Sequence, residues 1–403
     1  MSPELTPSVA NQFVVWGALV LGILLGGVGQ ASRFCVRGAL ADWVEGKGPG
    51  RFFSWMLAVA VGAVCVQTLI SLNVFDASRS LPWSDRFMWA SSLVGGMVFG
   101  FGMILADGCP QRSLVKAGSG NLKALVTLVV IAIAALMTLR GLFAGVRVSV
   151  LDPWSTQLAG SQDLGSVLSR ATGLSPAALR WAIVVAGIGA ILLLARRFRS
   201  RLQPAHWWGG VAVGQLVAAA YFLTGSLGFI AEHPETLEPA WLGTASKRPE
   251  GLSFAAPLAH SLDLLTLWTD KSTVATFGVM LSLGVLAGSF ASAKWRKDYK
   301  LESFRTPREL GAHVVGGILM GFGGITALGC SIGQGVTGLA MLSAGAVVAV
   351  AGIVAGALLA LRLKLAKPSA VGATIGMATP RHAADVDQNQ APAPVAHCTH
   401  GTS

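Results

Sequence analysis

The chain has 403 residues, of which 53% are hydrophobic and only 12% charged. A soluble domain of this length could not hide so much apolar side chain, so the composition excludes a soluble globular enzyme and points to a membrane protein. The formal charge of +11 is not a nucleic-acid signature, because no basic segment is interleaved with aromatics on a soluble element. It fits membrane orientation and the attraction of an anion.

Residues Met1 to Asn11 contain no Lys or Arg, so the charged region of a signal peptide is missing and the first apolar run is expected to be a retained span. Runs near the roughly 20 residues that cross a bilayer centre on 12–29, 52–74, 87–106, 122–139, 178–195, 206–230, 273–293, 311–328 and 336–361. The sequence therefore predicts an all-α polytopic membrane protein of about nine transmembrane helices. Fifty glycines exceed the average share of about 7% and favour close backbone packing in the bilayer, where the hydrophobic effect gives helices no drive to associate.

With nine spans, one set of short loops receives Arg33, Arg37, Lys47 and Arg51, then Arg112 and Lys116, the arginines from 196 to 201, and the basic run from Lys294 to Arg308. The other set is longer, and its cations are balanced by Glu232, Glu238 and Glu250. The positive-inside rule then predicts a cytoplasmic C-terminus and an outside N-terminus. Residues 368–403, rich in Ala, Pro, Gln and Asp, read as a disordered cytoplasmic tail. His397, Cys398 and His400 in that tail are a weak metal-binding pattern.

One stretch occurs twice. Residues 95–110 read GGMVFGFGMILADGCP and residues 316–331 read GGILMGFGGITALGCS, agreeing at nine of sixteen positions, among them Gly108/Gly329 and Cys109/Cys330. Each copy reads as a small-residue-rich helix that breaks at Gly-Cys before a second helix starts, the way membrane proteins build a site at mid-depth. The copies fall on the third and eighth spans, an odd separation that makes them antiparallel if all nine spans cross. The expectation is a single transport domain over 1–367: an inverted repeat of about 11–150 and 205–362, joined by a connector helix at 178–195, with interrupted or re-entrant helices.

Pro110 after Cys109 suits the first turn of a new helix, and Gln111 and Arg112 follow it. Cys330 leads into Ser331, Ile332, Gly333 and Gln334, a glycine-rich turn with further backbone donors. Two half-helix N-termini, each with a thiol, describe a site for an anion with a soft sulfur end. Cys35 lies between Arg33 and Arg37 at the end of the first span. Asp107 is expensive at membrane depth, and Arg112 is its expected partner. Cys65, alone among Val, Gly and Ala, reads as a small hydrophobe. No zinc-like cysteine spacing and no cofactor motif is visible.

The segments SRFCVRGALAD, GFGMILADGC and GFGGITALGCSIG together resemble the YeeE/YedE family of bacterial sulfur-compound transporters, over about residues 12–362. The resemblance implies an inner-membrane uptake transporter for thiosulfate, with Cys35, Cys109 and Cys330 lining the path. Gly108, Gly329, Pro110, Gln111, Arg112, Ser331, Gln334, Arg33 and Arg37 would complete it. A cytoplasmic sulfur-carrier protein or rhodanese would be a reasonable receiver. Alternatives are another sulfur or selenium substrate and, less well supported, a membrane-embedded thiol redox enzyme or a general small-solute channel.

Overall fold

The computed structural model describes residues 6–232, 234, 237–270 and 273–363. The tail from Pro368 onward, with its His/Cys cluster, lies outside the described residues. The described chain is almost wholly helical, with two short two-stranded ribbons, Arg86–Phe87 with Thr156–Gln157 and Phe229–Ile230 with Ala240–Trp241.

In chain order the helices are α1 (Pro7–Ser32), α2 (Val36–Val44), α3 (Gly50–Ser71), α4 (Trp89–Leu105), α5 (Pro110–Gly118), α6 (Leu122–Leu139), α7 (Leu142–Val146), α8 (Leu164–Thr172), α9 (Pro176–Arg197), α10 (Pro204–Phe222), α11 (Ala255–Thr266), α12 (Phe277–Trp295), α13 (Pro307–Thr326) and α14 (Ala344–Arg362). Nine described helical segments are long and apolar enough to cross a membrane, and each matches one predicted run. Two of them, Pro7–Val44 and Trp89–Gly118, are broken helices, α1 with α2 and α4 with α5. The ninth differs from the predicted 336–361: α14 starts at Ala344, and the preceding Gly333–Gly338 forms a wide π-type turn. Its glycines let the backbone wind loosely there. The twelve-residue α11 is not among the predicted runs, being too short to span.

Glycines decide which helices touch. On the α1/α12 seam, Gly22 and Gly26 face the carbonyls of Leu281 and Val285, while Gly284 and Gly288 face those of Leu19 and Ile23. On the α4/α14 seam, Gly96 and Gly100 meet the carbonyls of Ala349 and Ile353, and Gly356 meets that of Met97 so closely that a Cβ would overlap it. Both seams are paired four-residue glycine spacings, which bring backbones together without apolar side chains between them.

The two copies of the repeated stretch cross each other. Gly102 on α4 packs on the Gly316 carbonyl and Gly316 on that of Gly102, while Gly323 packs on the Gly95 carbonyl and Gly95 on the Thr326–Ala327 backbone. These contacts interchange when the copies are swapped. So do the larger packing pairs, α1 on α12 with α10 on α3, and α4 on α14 with α13 on α6. Helix α9 stands at the periphery, with Val184 and Ala195 its buried residues.

Candidate functional site

Three helices break in one way. Arg33, Asp107 and Leu328 have φ of 56°, 53° and 59°, and each lies two residues before a cysteine. This left-handed conformation costs an ordinary L-residue roughly 1–2 kcal/mol, so its recurrence before Cys35, Cys109 and Cys330 is a built feature. The breaks after α4 and α13 close alike: Gly108 N–H donates to Met103 O at 3.2 Å, and Gly329 N–H to Gly324 O at 2.8 Å, satisfying carbonyls of the ending helix. The glycines at these breaks are not the left-handed residues. They are small because a Cβ at Gly108 would lie 3.3 Å from Ser113 Oγ, and one at Gly329 3.2 Å from Gln334 Cγ.

After each break the cysteine starts the next turn. The carbonyls of Cys35, Cys109 and Cys330 accept from Ala39, Ser113 and Gln334 N–H at 2.9, 2.8 and 2.8 Å. Cys35 Sγ accepts from Gly38 N–H at 3.3 Å, and Cys330 Sγ from Gly333 N–H at 3.4 Å. Cys109 Sγ faces the Arg112 N–H without a well-aligned cap bond. Cys109 and Cys330 are fully buried and Cys35 nearly so. The Cys109 thiol lies within electrostatic range of both Cys35 and Cys330, so the fold gathers cysteines almost 300 positions apart in sequence.

Polar side chains around these thiols are buried with few protein partners. Both amide atoms of Gln111 are buried without a hydrogen bond, and the buried Ser331 Oγ has the Cys109 thiol as its neighbour. An unsatisfied buried group costs about 1–3 kcal/mol, so the Gln111 amide leaves a donor and an acceptor free for a further partner. Arg112, near Cys35 and Cys109, donates to Gly29 O at 3.3 Å and has no carboxylate partner among the described residues. It stands as a positive charge beside the thiols.

Asp107 is not paired with Arg112 as expected. Its carboxylate takes Arg37 Nη1 at 2.7 Å and Lys116 Nζ at 2.7 Å, and Lys116 also donates to the Asp107 carbonyl at 2.7 Å. The reason is position: in the left-handed turn Asp107 lies over the next helix, where α2 brings Arg37. This cluster ties α2, the break and α5 together, and Lys116 is the member sequence reasoning did not place in the site. Arg33 is exposed, and its backbone forms the turn. Pro110 opens α5. Gln334 spans the second break, Nε2 donating to Ala327 O at 2.8 Å, while Trp55 Nε1 holds Gly335 O at 2.7 Å. Nothing in the spacing pointed to Trp55.

Elsewhere, the loops before α4, before α8 and after α10 enclose a cavity of about 450 Å³ carrying Arg79, Lys247 and Arg248 with Trp83, Trp241 and Asp85. Trp83 Nε1 donates to Met341 O at 2.8 Å, linking this basic vestibule to the segment after Cys330.

Nine apolar helices and a set of buried broken-helix junctions define a multi-pass membrane protein. The chain matches the profile described as "Sulphur transport" over residues 31–359 and belongs to that family. It is 28% identical over 334 residues to the thiosulfate transporter TsuA of Escherichia coli, covering 82% of this chain and 89% of the relative. It is 24% identical over 338 residues to the TsuA of Spirochaeta thermophila, covering 82% and 93%. A shorter likeness, 31% over 114 residues and 28% of this chain, joins it to the probable transporter YedE of Escherichia coli.

Proposed function

We propose that the chain takes up thiosulfate along a path lined by Cys330, Cys109 and Cys35 in that order. The single observation that carries the reading is the shared break, a left-handed residue two positions before each cysteine, which sets three thiols at the starts of new turns. Thiosulfate is a dianion with three hard oxygens and one soft terminal sulfur, and moving it bare into a membrane is costly unless polar groups replace its water. Half-helix N–H groups, Gln111, Ser331 and Arg112 serve the oxygens. Neutral thiols donate weak hydrogen bonds to the terminal sulfur. Weak stations suit transport, since the ion must leave each one. Sulfate has no soft end and loses the thiol contacts.

The swapped packing pairs support an inverted repeat, which places a site at the interface of the halves. The charge bias of the loops supports a bacterial inner-membrane location with the C-terminus cytoplasmic and the basic vestibule outside. A sulfur-carrier protein or rhodanese would then receive the ion inside the cell. The names of the relatives support thiosulfate over other sulfur or selenium compounds, and no covalent step is needed.

The test is uptake of radiolabelled thiosulfate by cells lacking their own sulfur transporters, for the native chain and for Cys109→Ala and Cys330→Ala at equal expression. The reading requires native uptake that sulfate competes with poorly and that both substitutions abolish. Normal uptake by the variants would make the cysteines packing residues.

A further inference from the structure

Helix α9 is the least buried of the nine described apolar helices. Toward its start Trp181, Ile183, Val184 and Ile188 pack on the main core, and toward its end the contact is a small cluster of Phe53, Leu57 and Ala195, with Ile191 and Leu194 packed around it. Beside that cluster, between α3, α9 and α10, runs a groove of about 280 Å³ lined by Leu57, Val61, Cys65, Ile188, Leu192 and Trp207. The groove reaches Ala195, and the chain continues at once into Arg196, Arg197, Arg199 and Arg201. All four arginines are exposed, and none has a carboxylate partner among the described residues.

We propose that this groove is a binding site for one anionic phospholipid, an acyl chain lying along α3 and α9 and the phosphate held by the arginine cluster. The two halves of the site match the two halves of the ligand. The lining is aliphatic along its length, with the Trp207 ring where the chain enters α10, and cation density is confined to one end. A zwitterionic head group brings its own cation and leaves four arginines uncompensated; an anionic one does not. Arginines serving only as topology anchors require no groove at their side. The acyl chain adds apolar contact between α9 and α3 beside the cluster that joins them.

The experiment is native mass spectrometry and thermal unfolding of the full chain in detergent, titrated with phosphatidylglycerol or phosphatidylcholine of the same acyl chains. Phosphatidylglycerol should be retained roughly tenfold more strongly, given four basic residues at the head-group end, and should raise the unfolding temperature more. Inorganic phosphate alone should do neither. Replacing all four arginines by Gln should bring phosphatidylglycerol down to the phosphatidylcholine level, and Val61→Trp, which fills the groove, should weaken both lipids. If the fourfold variant does not fold, Arg199→Gln with Arg201→Gln should show a partial loss. Equal retention of the two lipids by the native chain, stabilisation by phosphate alone, or a preference unchanged in either arginine variant would overturn the proposal. So would undiminished retention by Val61→Trp.

Discussion

Replacing Asp107 by Asn removes one charge from the junction while keeping its backbone, because Asn tolerates the left-handed φ of 53° seen there better than most residues. Arg37 and Lys116 then lose their common carboxylate, which each approaches at 2.7 Å. The side chains of Asp107, Arg37 and Lys116 are 38%, 13% and 27% exposed, between a surface pair worth about 0–1 kcal/mol and a buried one whose breaking costs about 3–5 kcal/mol. A loss of about 1–2 kcal/mol follows, equivalent to a fall of about 1–2 °C in unfolding temperature for a chain of this length. Because the cluster ties α2 to the break before Cys109, Cys35 should also react faster with a maleimide. The assay is thermal unfolding of the purified protein alongside Cys35 labelling rates. An unchanged unfolding temperature with unchanged labelling would refute the idea that this carboxylate holds the two broken helices together.

The half-buried Glu250 carboxyl accepts the Ser246 N–H at 2.8 Å, and loss of water around it pushes its pKa up from the usual 4.5. Folding then favours the neutral acid, so the native chain should lose stability as pH rises from that ordinary value through the raised folded one. Glu250→Gln should flatten unfolding temperature across the same window, which a pH series of melts checks. Gly356→Ala drives a Cβ into the Met97 carbonyl and should cost about 1–3 kcal/mol by overpacking, read as a lower yield of monodisperse protein. Gly329→Ala meets Gln334 at 3.2 Å, a milder contact, and should lower uptake more than stability because Gln334 spans the second break. Parallel uptake and melting measurements separate the two effects.

The nine spans were legible because each is a run of apolar residues of bilayer length, and the two central breaks because Gly-Cys recurs in one register. The cause of the breaks was not legible. Glycine was the natural candidate for the left-handed position, yet Asp107 and Leu328 occupy it, while Gly108 and Gly329 are selected for a contact five residues ahead. The choice of Arg112 as partner of Asp107 failed for a similar reason: chain proximity suggested it, but the turn aims the carboxylate at Arg37, seventy residues earlier. Helix α11 escaped notice because its twelve residues, interrupted by Pro257, His260 and Asp263, fall short of the bilayer length by which the spans were found. The unpartnered amide of Gln111 and the Ser331 hydroxyl beside Cys109 can be recognised only once every neighbour is placed.

The most direct measurement is the rate at which a small thiol reagent alkylates Cys35, Cys109 and Cys330 in the purified protein, with and without thiosulfate, using sulfate at equal ionic strength as the control. A shared thiol-lined path predicts that thiosulfate slows all three reactions and sulfate none, while Cys65, in the groove between α3, α9 and α10, reacts at the same rate throughout. Rates that thiosulfate leaves unchanged at the three junction cysteines, or that sulfate slows equally, would contradict the account.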